Sequence, residues 1–460
     1  MKYKVSMAVL LAGLLTPALA SANPEPTAYD TRSIGMGLTG TSYLERPAAL
    51  AINPALLEGI DKLGFTFNLT NLLVNQIAPV QGAGTSVSSG LGYGPLPSGF
   101  IAGRIAPRVV FAGGIYIETG YGSSFSDVTC LDGVAVDDDG NILDGGDCNN
   151  NTPQDLDVTF FVGEFSAGFS FKAHEKFWLG VALRLPFSKQ TADLYQNVGA
   201  ALGAPRYGRV KNDLGGVGYP TLRFGFQIKA HKKLDIGLMY RMAGKIKLTG
   251  TTETALLPGL TLDSVADWFI PHAFAVGISS QITTKTLLAL DFRMQFHGAE
   301  KSGNKNQTVV ASNEGQVLST IVVPFGWKNT WSVKLGVEHR FIDLFAIRGG
   351  ANIAASATSA LWAQYFTPPP GLSGNLSLGF GFYWDDRNDP SVKDKYMLDL
   401  AGAFAFTTGT LDTPPTEPQQ IPGTDEFVTV CSTDQVVRTG CAGDYKVFTY
   451  WASVSFTLQY

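Results

Sequence analysis

From Lys62 onward the chain falls into segments of about ten residues in which apolar and polar side chains alternate, the pattern of a strand with one apolar and one polar face. Between 288 and 297, Leu288, Leu290, Phe292, Met294 and Phe296 share one face while Asp291, Arg293, Gln295 and His297 share the other. Between 331 and 340, Trp331, Val333, Leu335 and Val337 oppose Lys334, Glu338 and Arg340. The pattern predicts fourteen strands: 63–74, 99–106, 109–119, 158–173, 177–187, 217–229, 234–250, 268–282, 286–298, 330–341, 344–352, 376–384, 395–408 and 445–460. The connections alternate between tight turns, such as Pro107-Arg108 and His231-Lys232-Lys233, and long loops. Short turns on one side and long loops on the other are the signature of a transmembrane antiparallel β-barrel, so the predicted fold is all-β, with the apolar face toward lipid and the polar face toward the lumen. A soluble propeller or sandwich also alternates, but its connections would not fall into two size classes, and such a Phe-, Leu- and Trp-rich face would leave large sticky patches in water.

Composition supports this reading. Only 16% of the 460 residues are charged, there are 52 glycines, and 11% are aromatic. The mean hydropathy of +0.09 is too low for a bundle of membrane helices, and barrel strands escape hydropathy plots because their two faces average out. Residues 1–20 carry Lys2 and Lys4, an apolar stretch, and a small-residue ending at Ala18-Leu19-Ala20, the pattern of a cleaved secretory signal. No later apolar run approaches the roughly 20 residues of a membrane helix. A net charge of -5 without any Lys/Arg block argues against a nucleic-acid partner.

One stretch does not alternate. Asp30 to Ile60 is rich in small residues (Gly35, Gly37, Gly40, Ala48, Ala49, Ala51) and is bent by Pro47 and by an Asn53-Pro54-Ala55 turn. Small side chains suit close packing in a confined space, and Gly and Pro suit an irregular path. The run from Ser33-Ile34-Gly35-Met36-Gly37 through Pro47-Ala48-Ala49-Leu50 to Asn53-Pro54-Ala55 resembles the N-terminal hatch of the FadL-type outer-membrane transporters of long-chain fatty acids and other hydrophobic compounds. Trp327-Lys328-Asn329-Thr330-Trp331 followed by Lys334 to His339, and Pro271, are similar to patterns of the same family. The resemblance implies a plug, here 21–60, inside the lumen of a barrel formed by 61–460, with Gly35, Gly37, Asn53, Pro54 and Ala55 as plug or gate residues. It also implies passive uptake of fatty acids or aromatic hydrocarbons, by capture on the outer loops, plug gating and lateral exit. The alternative is a structural or adhesive outer-membrane barrel whose lumen stays closed. The expected partners are a hydrophobic small molecule, outer-membrane lipid and lipopolysaccharide, and the barrel-assembly machinery, which the terminal aromatic Tyr460 on an amphipathic last strand would address. A monomer is expected.

No catalytic constellation assembles from the sequence: there is no G-x-S-x-G, H-E-x-x-H or P-loop, and the five histidines are scattered. A non-enzyme without cofactors is therefore expected. The polar faces carry Arg184, Arg223, Arg241, Arg293, Lys334 and Arg348, which either brace the barrel as an ion network or hold an anionic head group; a guanidinium fork matches a carboxylate. Two loop stretches, 192–202 and 254–268, read as helical, and Leu256, Leu257, Leu260 and Leu262 form a candidate capture groove. The four cysteines fall as two local pairs, Cys130-Cys148 and Cys431-Cys441, expected to be disulfides of an exported chain. Asp137, Asp139, Asn141 and Asp144 form a solvated acidic loop or a calcium site. Straight passage of an apolar tail through a polar channel costs about 0.8 kcal/mol per methylene. A sideways exit avoids this, and Gly113-Gly114 in the third strand are the expected place for a kink that permits it.

Overall fold

The computed structural model describes residues 29–130, 153–197, 207–255, 257–385, 394–432, 435 and 438–460. The signal segment, Cys148 and the Asp-rich loop with Asp137, Asp139, Asn141 and Asp144 lie outside the described residues.

Fourteen antiparallel strands close into a barrel. They are β1 (Leu63–Ala78), β2 (Gly92–Ala106), β3 (Val109–Val128), β4 (Gln154–His174), β5 (Phe177–Asn197), β6 (Tyr207–Val217 and Thr221–His231) and β7 (Leu234–Arg241 and Gly244–Thr254). The ring continues with β8 (Thr261–Ile270 and Ala273–Thr283), β9 (Thr286–Gln295 and Asn306–Asn313), β10 (Gln316–Pro324 and Thr330–Ile342), β11 (Phe345–Ala355), β12 (Leu372–Trp384), β13 (Tyr396–Leu411) and β14 (Gly443–Gln459). β14 pairs with β1 along its length, and the Tyr460 amide donates to the Leu63 carbonyl at 2.7 Å, so no sheet edge is left at the seam.

The predicted faces are observed. In β14, Tyr450, Val454 and Phe456 point outward while Trp451, Ser453, Ser455 and Thr457 are buried; in β10, Trp331, Val333, Leu335 and Val337 point outward while Lys334 and Glu338 point in.

Several strands are longer than expected. β6 to β10 are each interrupted at one level, at 218–220, 242–243, 271–272, 296–305 and 325–329, and then continue outward. Below this level the outward side chains are apolar, as in Phe226, Tyr240, Phe274 and Leu290. Above it, in β6 to β8, outward side chains are charged and paired across strands, as in Arg209–Asp193 at 2.6 Å and Lys245–Asp267 at 2.7 Å, whereas the outer parts of β9 and β10 carry no charge. Polar or charged stretches of this kind do not read as membrane strand, and the sequence left most of them in loops, except 244–250 and 268–270, which fall inside the predicted strands 234–250 and 268–282. The two expected loop helices are absent from the described residues: 192–197 belong to β5 and 261–270 to β8.

Residues 29–60 lie inside the ring as a short helix α1 (Thr31–Gly35), a helical turn α2 (Ala49–Ile52) and a 3-10 turn (Pro54–Gly59). Asp30 caps α1 by accepting from the Ser33 amide at 3.1 Å. The hatch backbone rests on facing glycines of neighbouring strands: Met36–Gly37 on Gly336 and Gly350, Thr41–Ser42 on Gly237 and Gly277, and Pro54–Ala55 on Gly180 and Gly225. Wall glycines thus let two backbones approach closely. A Cβ at Gly237 would collide with the Thr41 carbonyl. Gly237→Val is expected to cost about 1–3 kcal/mol of overpacking and to loosen the hatch. Faster proteolysis within 29–60, in a barrel that keeps its heat-modifiable gel mobility, would show it.

Candidate functional site: a lumen route and its cationic floor

At the outer end of the lumen is a cavity of about 110 Å³ lined by apolar Leu156, Val158 and Phe325, by Tyr121, and by carboxamides such as Gln190 and Gln364, with Arg438 at its margin. Arg438 belongs to the loop closed by the Cys431–Cys441 disulfide, which the Gly440 amide ties to the Ala363 carbonyl at 2.9 Å. Cys130 is also disulfide-bonded.

Tyr121 lines this cavity and the next layer, an aromatic box of Tyr121, Phe160, Trp268, Phe325 and Trp327. Ring centroids are 4.3 Å apart for Phe160–Trp268 and 5.5 Å for Trp268–Trp327, the latter edge-on. The strand interruptions help build the box, because Trp327 sits in the break of β10 and Trp268 just before the break of β8 at Pro271.

Below the box lies the charged floor. The inward side chains of β3 run 110, 112, 114, 116, 118 and then 121, 123, 125, so the register shifts at a bulge between Ile117 and Thr119. Glu118 stands on that bulge, 1% exposed. It pairs with Arg241, lies 3.4 Å from Arg223 and 3.9 Å from Arg293, and accepts from the hatch hydroxyl of Tyr29 at 2.8 Å. Arg184 pairs with Glu164, which also lies 3.5 Å from Arg223. Four arginines therefore share two glutamates. Arg293 Nε and Nη2 and Gln295 Nε2 are buried and make no hydrogen bond with the protein. Arg293 and Lys334 also line a cavity of about 30 Å³ walled by Tyr29, Leu38, Ile52 and Asp291.

Across the lumen a second ion network is balanced. Arg46 of the hatch bridges Asp30 at 3.1 Å and Asp399 at 2.7 Å, Arg348 pairs with Asp399 at 2.6 Å and Glu338 at 2.5 Å, and Arg32 pairs with Glu338 at 2.6 Å. Burial alone would lower the Arg46 pKa, but Asp30 and Asp399 outweigh it and hold it above its ordinary value. Three cations meet three carboxylates, so this side anchors the hatch.

The wall beside the charged floor is split. β2 and β3 pair from Ala106↔Val109 up to Gly99↔Ile115, and there the ladder ends. β2 nevertheless continues along β1 to Gly92, and β3 along β4 to Val128. Pro95 and Pro97 lie two apart in the unpaired part of β2, so both ring nitrogens face the same side, where β3 finds no N–H to accept. Gly113 and Gly114 are paired in register on both sides, so the irregularity of β3 is not at these glycines but at Ile117–Thr119, where Glu118 is drawn toward the arginines. Gly114 instead makes room for the Phe100 ring, which stacks on Tyr116.

Of the cations singled out in the sequence, Arg184, Arg223, Arg241 and Arg293 converge, Lys334 lines the cavity beside them, and Arg348 belongs to the balanced network. Among the plug residues, the Gly37 amide donates to Ser377 Oγ at 2.9 Å, and Gly35 packs against Gly379. The Asn53 side chain accepts from the Ala55 amide and donates to the Thr41 and Phe226 carbonyls at 2.7 and 3.1 Å. The described leucines of the expected groove do not form one patch: Leu257 and Leu260 line a hollow of about 300 Å³ at the outer tips, and Leu262 points inward and is 3% exposed; Leu256 lies outside the described residues. Glu118, Tyr29, Pro95 and Pro97 were missed. The Pro-x-Pro spacing in a strand was the available signal.

A closed fourteen-stranded barrel filled by its own N-terminal segment defines the class as a transmembrane β-barrel of the FadL-type fold. A Pseudomonas aeruginosa FadL homologue is similar over 96% of this chain and 100% of its own, with a TM-score of 0.71 and 16% identity. The Ralstonia pickettii toluene transporter TbuX (TM-score 0.65, 16% identity, 96% and 100% covered) and the P. putida toluene transporter TodX (0.66, 17%, 94% and 99%) share the fold. No family model matches the sequence, and no curated protein matches it.

Proposed function

We propose that this protein mediates passive uptake of hydrophobic small molecules across the outer membrane, and that it favours amphiphiles with an anionic head group. The observation that carries this reading is a single succession of features: an apolar and carboxamide-lined outer cavity, an aromatic box, buried Arg293 donors that make no hydrogen bond with the protein, and a break in the wall ladder beside them. The likeness to toluene transporters and a FadL homologue supports hydrophobic cargo. Capture begins at the outer cavity, the aromatic box desolvates the tail, and the arginines receive the head. The 30 Å³ cavity holds about one water, not a ligand, so the hatch must shift for the head group to enter. Exit is lateral, between β2 and β3 above Gly113 and Gly114, where the tail passes to lipid without crossing water.

Cells with and without the gene, given labelled dodecanoate and labelled toluene, test the reading; equal uptake of both compounds in the two strains would reject it. Arg293→Gln is expected to lower dodecanoate uptake about tenfold, as expected for losing a charged hydrogen bond, and to leave toluene uptake within twofold. Equal loss of both would instead mark Arg293 as a brace of the barrel.

A further inference from the structure

Tyr29 spans the split wall. Its carbonyl accepts from Ser98 Oγ of β2 at 3.1 Å, its hydroxyl donates to Glu118 of β3 at 2.8 Å, and its ring lies edge-on to Tyr116 at 4.8 Å. One hatch residue thus holds both strands just beyond the end of their own ladder, and it is 6% exposed. Its strongest hold on β3 is the bond to the Glu118 carboxylate, whose position depends in turn on Arg223, Arg241 and Arg293. Those arginines, with Arg184, carry two more positive charges than Glu118 and Glu164 neutralise, and the neighbouring Lys334 and Asp291 offset each other.

We propose that Glu118 is a latch that an incoming carboxylate releases by competing for the same guanidinium groups, and that this competition withdraws Tyr29 from the gap. The inference rests on the head-group reading above and adds to it the residue that couples binding to opening. A second carboxylate is attracted by the two uncompensated charges and by the unused donors of Arg293. Once seated, it divides the arginines with Glu118 and repels it as a like charge. Glu118 then turns toward water in the gap, and the Tyr29 hydroxyl loses its carboxylate acceptor and keeps on β3 only the long contact to the Glu118 backbone carbonyl at 3.4 Å and the edge contact with Tyr116. A neutral ligand has no such leverage and leaves only when the gap opens spontaneously, so the latch speeds opening for anionic cargo without closing the route to neutral cargo.

The test uses the purified full-length protein in detergent, with dodecanoate and dodecanol as probes. Hydrogen–deuterium exchange in the peptide containing Tyr29 is expected to rise with dodecanoate and not with dodecanol. Tyr29→Phe is expected to raise that exchange without ligand. Glu118→Gln, which keeps the shape and an acceptor but removes the competing charge, is expected to raise the ratio of dodecanoate to dodecanol affinity about tenfold. Unchanged exchange with dodecanoate, or an unchanged or lower affinity ratio in a folded Glu118→Gln barrel, overturns the latch. If Arg293→Gln abolishes dodecanoate binding while Glu118→Gln changes nothing, the latch alone fails. If dodecanoate binds equally well to Arg293→Gln, the head-group reading fails and takes the latch with it.

Discussion

Replacing Pro95 and Pro97 together with valine is expected to abolish uptake while leaving a folded, inserted barrel. Both prolines sit where β2 still follows β1 but no longer pairs with β3. Valine restores two backbone donors and is a favourable strand residue. The ladder can then extend beyond Gly99↔Ile115, provided that the bulge at Ile117–Thr119 accommodates the new register. Each new bond adds about 0.5–1.5 kcal/mol, enough to keep the wall shut against a passive ligand. Uptake of dodecanoate and toluene should both vanish, since exit is common to them, while detergent-extracted protein keeps its strand-dominated circular dichroism. Undiminished uptake by a correctly inserted double variant would place the exit elsewhere. Bulky residues at Gly113 and Gly114 should act differently, because a Cβ at Gly114 meets the Phe100 ring whereas one at Gly113 has room.

Asp399→Ala is expected to free the hatch. Asp399 is fully buried and is the acid shared by Arg46 of the hatch and Arg348 of the wall. Removing it leaves two buried guanidinium groups short of a counter-charge, a loss of about 3–5 kcal/mol for a broken buried network. The barrel itself is held by backbone ladders that do not involve this side chain, so the hatch should yield first. Planar-bilayer recordings should show frequent wide openings in the variant and rare ones in the parent. A silent variant would mean that the wall glycines alone hold the hatch.

The fold was legible because a barrel in lipid writes its faces into the sequence with a period of two. In β9 and β10 the polar set points inward and the apolar set outward, as alternation required. Most of the outer halves of β6 to β10 was not legible, residues 244–250 of β7 and 268–270 of β8 excepted, since outside hydrocarbon both faces tolerate polar groups and alternation loses its meaning. The same limit produced the two loop helices, where local composition resembled a helix and cross-strand pairing decided otherwise.

The site divides in the same way. Sequence alone placed Arg184, Arg223, Arg241, Arg293, Lys334 and Arg348 on the polar faces, because facing depends only on parity within a strand. Which of them meet depends on the order of strands around the ring and on the path of the hatch across it, and neither is a local property. Arg348 and Arg293 have the same residue type and the same orientation, yet one is neutralised by Asp399 and Glu338 and the other is left with unused donors. Glu118 faces inward by parity as well, but its bulge, its three arginines and its bond to Tyr29 come from strands and a hatch far apart in the chain. Sequence determined the barrel, the hatch and the inward cations through periodicity and small-residue packing; tertiary structure decided which charges balance and where the wall parts, because both depend on long-range pairing.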